Sequence, residues 1–163
     1  MKREPPLSAF DETPGEILWI ETAHAEVLAL LHQGSFAEGS WSRDSFSRIL
    51  ELPTSKGLIY CVGKVPVGFV LWQRSLDEAE ILTFCVDLKW RRKGVSRLLI
   101  AAMLKDASQS EVCKFFLEVA ADNYPAISLY LSSGFTEIGR RPKYYQREGG
   151  KSADALVMQL ENF

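Results

Sequence analysis

The spacing of apolar and polar positions changes several times along this chain, and each change marks a predicted element. EILWIE, residues 16–21, is apolar between two glutamates and can form a first strand. Residues 22–33 and 42–51 follow helical spacing, with Ser42 placed to cap the second; GSFAEGSW, with its two glycines, reads as the loop between them. Residues 57–62 and 67–74 flank GKVP as a hairpin would, and residues 79–87 form a third strand of this group. The period then lengthens. Val95, Leu98, Leu99, Ala102 and Met103 recur at helical intervals. Residues 114–120 return to strand, residues 123–133 to helix with Ile127, Tyr130 and Leu131 on one face, and GFTEIGR and SADALVMQLE close the chain as two more strands. The order β-α-α-β-β-β-α-β-α-β-β, with hairpins and inserted helices, predicts an α+β fold on a mostly antiparallel sheet.

Composition bounds this picture without changing it. The 163 residues are 47% hydrophobic and 25% charged, as in a soluble globular domain that buries a core without staples. Residues 1–15 read as a flexible polar lead-in and residues 16–163 as one domain. No apolar signal core precedes it, and the longest apolar run, 98–104, is far shorter than the ~20 residues that span a bilayer. A cytoplasmic protein without membrane contact is expected. Cys61, Cys85 and Cys113 lie in apolar runs and are expected to be reduced and buried. His24 and His32 have no ligand-spaced partners, so no metal is expected.

Charge changes the picture locally. The net charge is −2, yet Lys89, Arg91, Arg92, Lys93 and Arg97 crowd into nine residues between a strand and a helix. Unpaired N–H groups and the helix dipole favour an anion at such a helix start, and Gly94 lets it approach the backbone. By itself the cluster could equally be a solvated loop. Neither the P-loop pattern nor GxGxxG is present; what stands there is R-x-x-G-x-S, Arg91, Gly94 and Ser96. One basic stretch on an acidic chain gives little support to nucleic-acid binding.

That segment resembles the acetyl-CoA pyrophosphate motif of the GNAT superfamily, [QR]-x-x-G-x-[GA], with Ser96 where Gly or Ala is usual. The resemblance implies the GNAT fold, a mixed, mostly antiparallel sheet of about seven strands flanked by about four helices. It also implies that acetyl-CoA is held by Arg91, Arg92, Lys93, Gly94, Val95, Ser96 and Arg97, and by the main chain of Phe84, Cys85 and Val86.

A second stretch carries side-chain chemistry. Phe115, Leu117 and Val119 share one face of their strand and Phe116 and Glu118 the other. A carboxylate in an apolar strand could point to solvent, or it could sit in a cleft as a general base. Asp122 or Asn123 caps the next helix, Pro125 fits its first turn, and Tyr130 lies two turns on. LEVAADNYPAISLYLSSGF is similar to the corresponding stretch of the ribosomal-protein-alanine N-acetyltransferases, the RimI-like branch of the superfamily. GRRPKYYQREGGKSADALVMQLE and FAEGSWSRDSF resemble its tail and its early loop. The likeness spans roughly residues 16–161. It implies Glu118 as proton acceptor, Tyr130 as proton donor and Asn123 as an acetyl-CoA contact. The acceptor it implies is the N-terminal α-amine, Ala-type, of a ribosomal or other protein, taken by a monomer or weak dimer. Trp41, Tyr144 and Tyr145 are either acceptor-groove or edge-packing aromatics, and Arg140, Arg141 and Lys143 form a second basic patch. Two rivals stand beside this reading: a small-molecule amine acetyltransferase and a non-catalytic CoA-binding module.

Overall fold

A computed structural model describes residues 15–36 and 39–163; most of the expected lead-in and part of the early loop lie outside them. Seven strands form one sheet in the order β1-β2-β3-β4-β5-β7-β6. They are β1 (Gly15–Trp19), β2 (Ser55–Val62), β3 (Val65–Ser75), β4 (Glu78–Val86), β5 (Lys114–Ala120), β6 (Thr136–Gln146) and β7 (Ser152–Glu161). The helices are α1 (Ala25–Ser35), α2 (Arg43–Leu50), α3 (Val95–Ser108) and α4 (Tyr124–Ser132). The expected order and the α+β class hold.

Two cores bracket the sheet. On one face α3 and α4 close over Val70, Trp72, Phe115, Leu117 and Met158. On the other, α1 and α2 close over Ile59, Phe69, Leu71 and Cys85. Ser42 caps α2 as expected, its hydroxyl accepting the Ser45 N–H at 3.2 Å.

The β4–β5 pair decides where a site can form. It is the sheet's one parallel pair, and it is short: Glu78, Ala79 and Glu80 face Lys114, Phe115 and Phe116, and pairing stops there. On its other side β4 stays on β3, with Leu82 as an extra residue between the Leu71–Thr83 and Trp72–Ile81 pairs. Such a bulge bends one strand and sharpens its twist. Beyond it the β5-facing edge of β4 has no strand partner, and the two strands separate.

Several expectations are corrected. Cys113 is exposed, because it precedes β5 in a loop where its N–H donates to the Asp77 carbonyl and its thiol faces the Asp77 carboxylate. Leu98 and Leu131 are 48% and 54% exposed, since each helix covers the sheet with a narrower stripe; Val95, Leu99, Ile100, Met103 and Ala107 carry that of α3. β3 begins at Val65 and includes Pro66, which sits at an irregular register where no ladder N–H is required. β6 continues past Arg140 to Gln146. Its residues 142–144 bulge opposite Asp154 alone, and Pro142 falls inside that bulge.

Candidate active site

The mouth of the β4–β5 split is closed by the β4–α3 turn. The Asp87 carboxylate accepts the Lys89 N–H at 2.8 Å and starts a single 3₁₀ turn. Gly94 follows at φ 84°, a left-handed conformation that suits glycine, and a Cβ there would meet no atom within 4 Å. No side chain caps α3; its first bond within the helix runs from Leu98 N–H to the Gly94 carbonyl. The N–H groups of Val95, Ser96 and Arg97 therefore face outward from the positive end of the helix dipole. The cations divide. Arg91 Nε donates to the Val86 carbonyl at 3.1 Å and ties the turn to β4. The Lys93 ammonium lies 4.6 Å from the Trp90 ring centroid. Lys89, Arg92 and Arg97 are left exposed or half-exposed at the rim.

Along the split, Phe84 is half-buried against the α3 side, and Cys85 and Val86 are buried. Burial pushes the Cys85 thiol up to about 11, which keeps it protonated and unreactive. Asn123 caps α4, its side-chain oxygen accepting the Ala126 N–H at 3.3 Å. About two turns into α4, Tyr130 is buried, its ring edge-on to Phe135 at 5.7 Å. Burial first, then the fields of Cys85 and Tyr145, raises its hydroxyl above the ordinary tyrosine range, so it remains a proton carrier.

On the opposite face of β5, away from the α3 core, Glu118 opens onto a cavity of about 540 Å³. Its side chain is 18% exposed, and its carboxylate accepts from Arg141 Nε at 2.8 Å. Tyr145 is close enough that, after burial, the Glu118 charge is the main influence raising its hydroxyl. Glu118 and Arg141 meet at this cavity, and Tyr145, in the field of Glu118, acts in turn on Tyr130, which packs on the α3–α4 face outside the cavity wall. The bulge in β6 lies between Arg141 and Tyr145, and Asp154 holds it by accepting the Lys143 N–H at 2.9 Å.

Not every expected residue joins them. Trp41 packs in an aromatic cluster with His32 and Phe46, at 5.5 and 5.4 Å, and its backbone N–H donates to His32 Nδ1. Tyr144 is half-exposed, edge-on to Tyr145 at 5.2 Å and beneath the Arg141 guanidinium. Conversely, the cavity wall includes Thr54, Gln73, Arg74 and Glu80, which the sequence reading did not single out. Only the outward alternation of Glu80 in β4 signalled any of them.

A mixed sheet split at one parallel pair, with an uncapped basic helix start at the mouth, defines the acyl-CoA N-acyltransferase fold class. The model of the acetyltransferase (GNAT) family matches residues 25–135, and the chain belongs to that family. It is 31% identical to the N-alpha-acetyltransferase RimI of Mycobacterium tuberculosis (strain H37Rv) over 93% of this chain and 96% of that protein. It is 37% identical to the [ribosomal protein bS18]-alanine N-acetyltransferase of Escherichia coli (strain K12) over 93 residues, 57% of this chain; the match spans 62% of that relative's length. The crystal structure of the ribosomal-protein-S18-alanine N-acetyltransferase from Escherichia coli superposes with a TM-score of 0.85 at 28% identity, covering 91% of this chain and 94% of that one. No helix among the described residues is long and apolar enough to cross a membrane.

Proposed function

We propose that this protein transfers the acetyl group of acetyl-CoA to the N-terminal α-amine of a protein, an Ala-type terminus in the first place. The observation that supports the reading is the β4–β5 split itself, with Glu118 on its cavity side, buried Tyr130 on α4 across the sheet and Tyr145 within the field of one and acting on the other, next to a helix start suited to phosphate. The residues suit acetyl-CoA. Three outward N–H groups, an open left-handed Gly94 and an unpaired β4 edge are what a pyrophosphate and an amide-bearing arm require. Val95, Ser96 and Arg97 would hold the pyrophosphate, with Arg92, Lys93 and Asn123 beside it, while Arg91 shapes the turn and the 84–86 backbone holds the arm. When bound, acetyl-CoA supplies an activated thioester.

The chain's own residues do the rest. Glu118 takes the proton of the acceptor amine, and its ion pair with Arg141 holds the carboxylate in position. A backbone N–H near Cys85–Val86 polarises the carbonyl under attack. Tyr130, buried and held protonated, gives its proton to the leaving sulfur. Cys85 is not needed as a nucleophile, and its raised thiol agrees with direct transfer.

Amine chemistry favours the terminal acceptor. An α-amine titrates near ~7.7–8.0 and a lysine near ~10.4, so at neutral pH the α-amine is roughly a few hundredfold richer in its reactive form. One modest base is enough for it. The reading is tested by thiol release from acetyl-CoA with three acceptors: a peptide with free N-terminal Ala, the same peptide N-blocked but containing Lys, and spermidine. Turnover confined to the free terminus is expected. Preference for spermidine or lysine would replace the acceptor class, and acetyl-CoA binding without any turnover would leave a CoA-binding module.

A further inference from the structure

We propose that Glu80, rather than Glu118, receives the positive charge of the incoming acceptor; the inference rests on the amine-acetylation reading above. Five charged side chains line the cavity: Arg74, Glu78, Glu80, Glu118 and Arg141. Three of them have partners, and a fourth lies near a lysine. Glu118 and Arg141 neutralise each other at 2.8 Å. Arg74 reaches toward Glu111, at 4.0 Å. Glu78 has no ion pair of its own, but it stands opposite Lys114, which Glu161 holds at 3.1 Å, and its field acts there. Glu80 has no hydrogen bond or ion pair among the described residues, so it is the uncompensated charge of this space.

Register gives that charge its place. Glu80 faces Phe116 in the last pair before β4 and β5 separate, and Glu118 follows two residues on, on the same side of β5. A molecule reaching Glu118 from the cavity passes Glu80. The acceptor arrives mainly as an ammonium ion near pH 7. A carboxylate already satisfied by a guanidinium binds a second cation weakly, whereas Glu80, exposed on the cavity wall and without a partner, is free to pair with one. Glu80 therefore holds the ammonium, and Glu118 accepts the proton once the amine has moved into the split. Proton count is unchanged by this division, because a single proton leaves the amine for Glu118.

The test uses the full chain, a peptide with free N-terminal Ala, and two readouts: steady-state kinetics, and calorimetric binding of the peptide with CoA present. Glu80→Gln should raise both the acceptor KM and the peptide Kd about fivefold. It should leave kcat and the acetyl-CoA Kd within about twofold, and Glu80→Asp should recover most of the loss. The gap between wild type and Glu80→Gln should narrow from pH 7 to pH 9 as the amine loses its charge. Unchanged KM and Kd, or a fall in kcat at constant KM, would overturn the proposal. If the wild type binds the peptide in a Glu80-dependent way but transfers no acetyl group, the transfer reading fails and the assignment of Glu80 stands.

Discussion

The two halves of the site are built from different materials. At the β4–α3 turn the binding groups are backbone N–H donors, fixed by helix geometry and a left-handed glycine, with cations spread around them. On the other half the proposed working groups are single side chains: Glu118 on β5, held at the cavity by Arg141 of β6, and Tyr130 on α4, fixed by burial. Backbone recognition tolerates side-chain change and is broken by changes of conformation. Side-chain chemistry is lost with one atom. The halves should therefore fail differently.

The largest effect is expected on the side-chain half. Glu118→Gln and Tyr130→Phe should each lower kcat by about 10²–10⁴-fold, the usual range for a general acid or base, while acetyl-CoA affinity by calorimetry stays close to wild type. Equal losses in acetyl-CoA affinity would erase the distinction. Outside the cavity, burial of a histidine is expected to give a stability effect of about 3 kcal/mol. His32 is buried in the aromatic cluster that holds Trp41, and burial pushes it down to about 4. The unfolded chain takes up this proton below about 6.5 and the folded chain only near 4, so the contribution is complete above pH 6.5 and is lost as pH falls toward 4. Urea unfolding from pH 7 to 4.5 should show that slope, and His32→Gln should flatten it.

On the backbone half, Gly94→Val should cost about 1–2 kcal/mol for the left-handed position and lower Tm by a few degrees. It should also raise the acetyl-CoA KM about tenfold with kcat little changed. The smallest effect is expected at Ser96. Ser96→Ala should alter the acetyl-CoA KM by less than about twofold, because the N–H rather than the hydroxyl faces the anion. A large change there would show that side chains matter on this half too.

Much of this was legible along the chain for one physical reason: it is local. The cations, Gly94 and the first turn of α3 are contiguous, and Glu118, Asn123 and Tyr130 fall within a strand, a cap and a helix that follow one another. Ser42 and Asn123 announced their helices because capping is a contact over three residues. The cavity was hidden for the opposite reason. Thr54, Gln73, Glu80 and Arg141 come from one turn and three separate strands and meet only after the sheet forms. β6, exposed on both faces, has no alternation to read, so its bulge and the reach of Arg141 to Glu118 had no signal. Cys113 misled because an apolar neighbourhood in sequence is not burial when the residue falls in a turn.

The most direct test of the account places the acetyl group. A peptide with a free N-terminal Ala and an internal Lys is incubated with the enzyme and acetyl-CoA, and tandem mass spectrometry locates the modification. The account predicts acetylation at the terminal nitrogen, absent with Glu118→Gln and Tyr130→Phe. Acetyl on the lysine side chain, or terminal acetylation that persists in both variants, would contradict it.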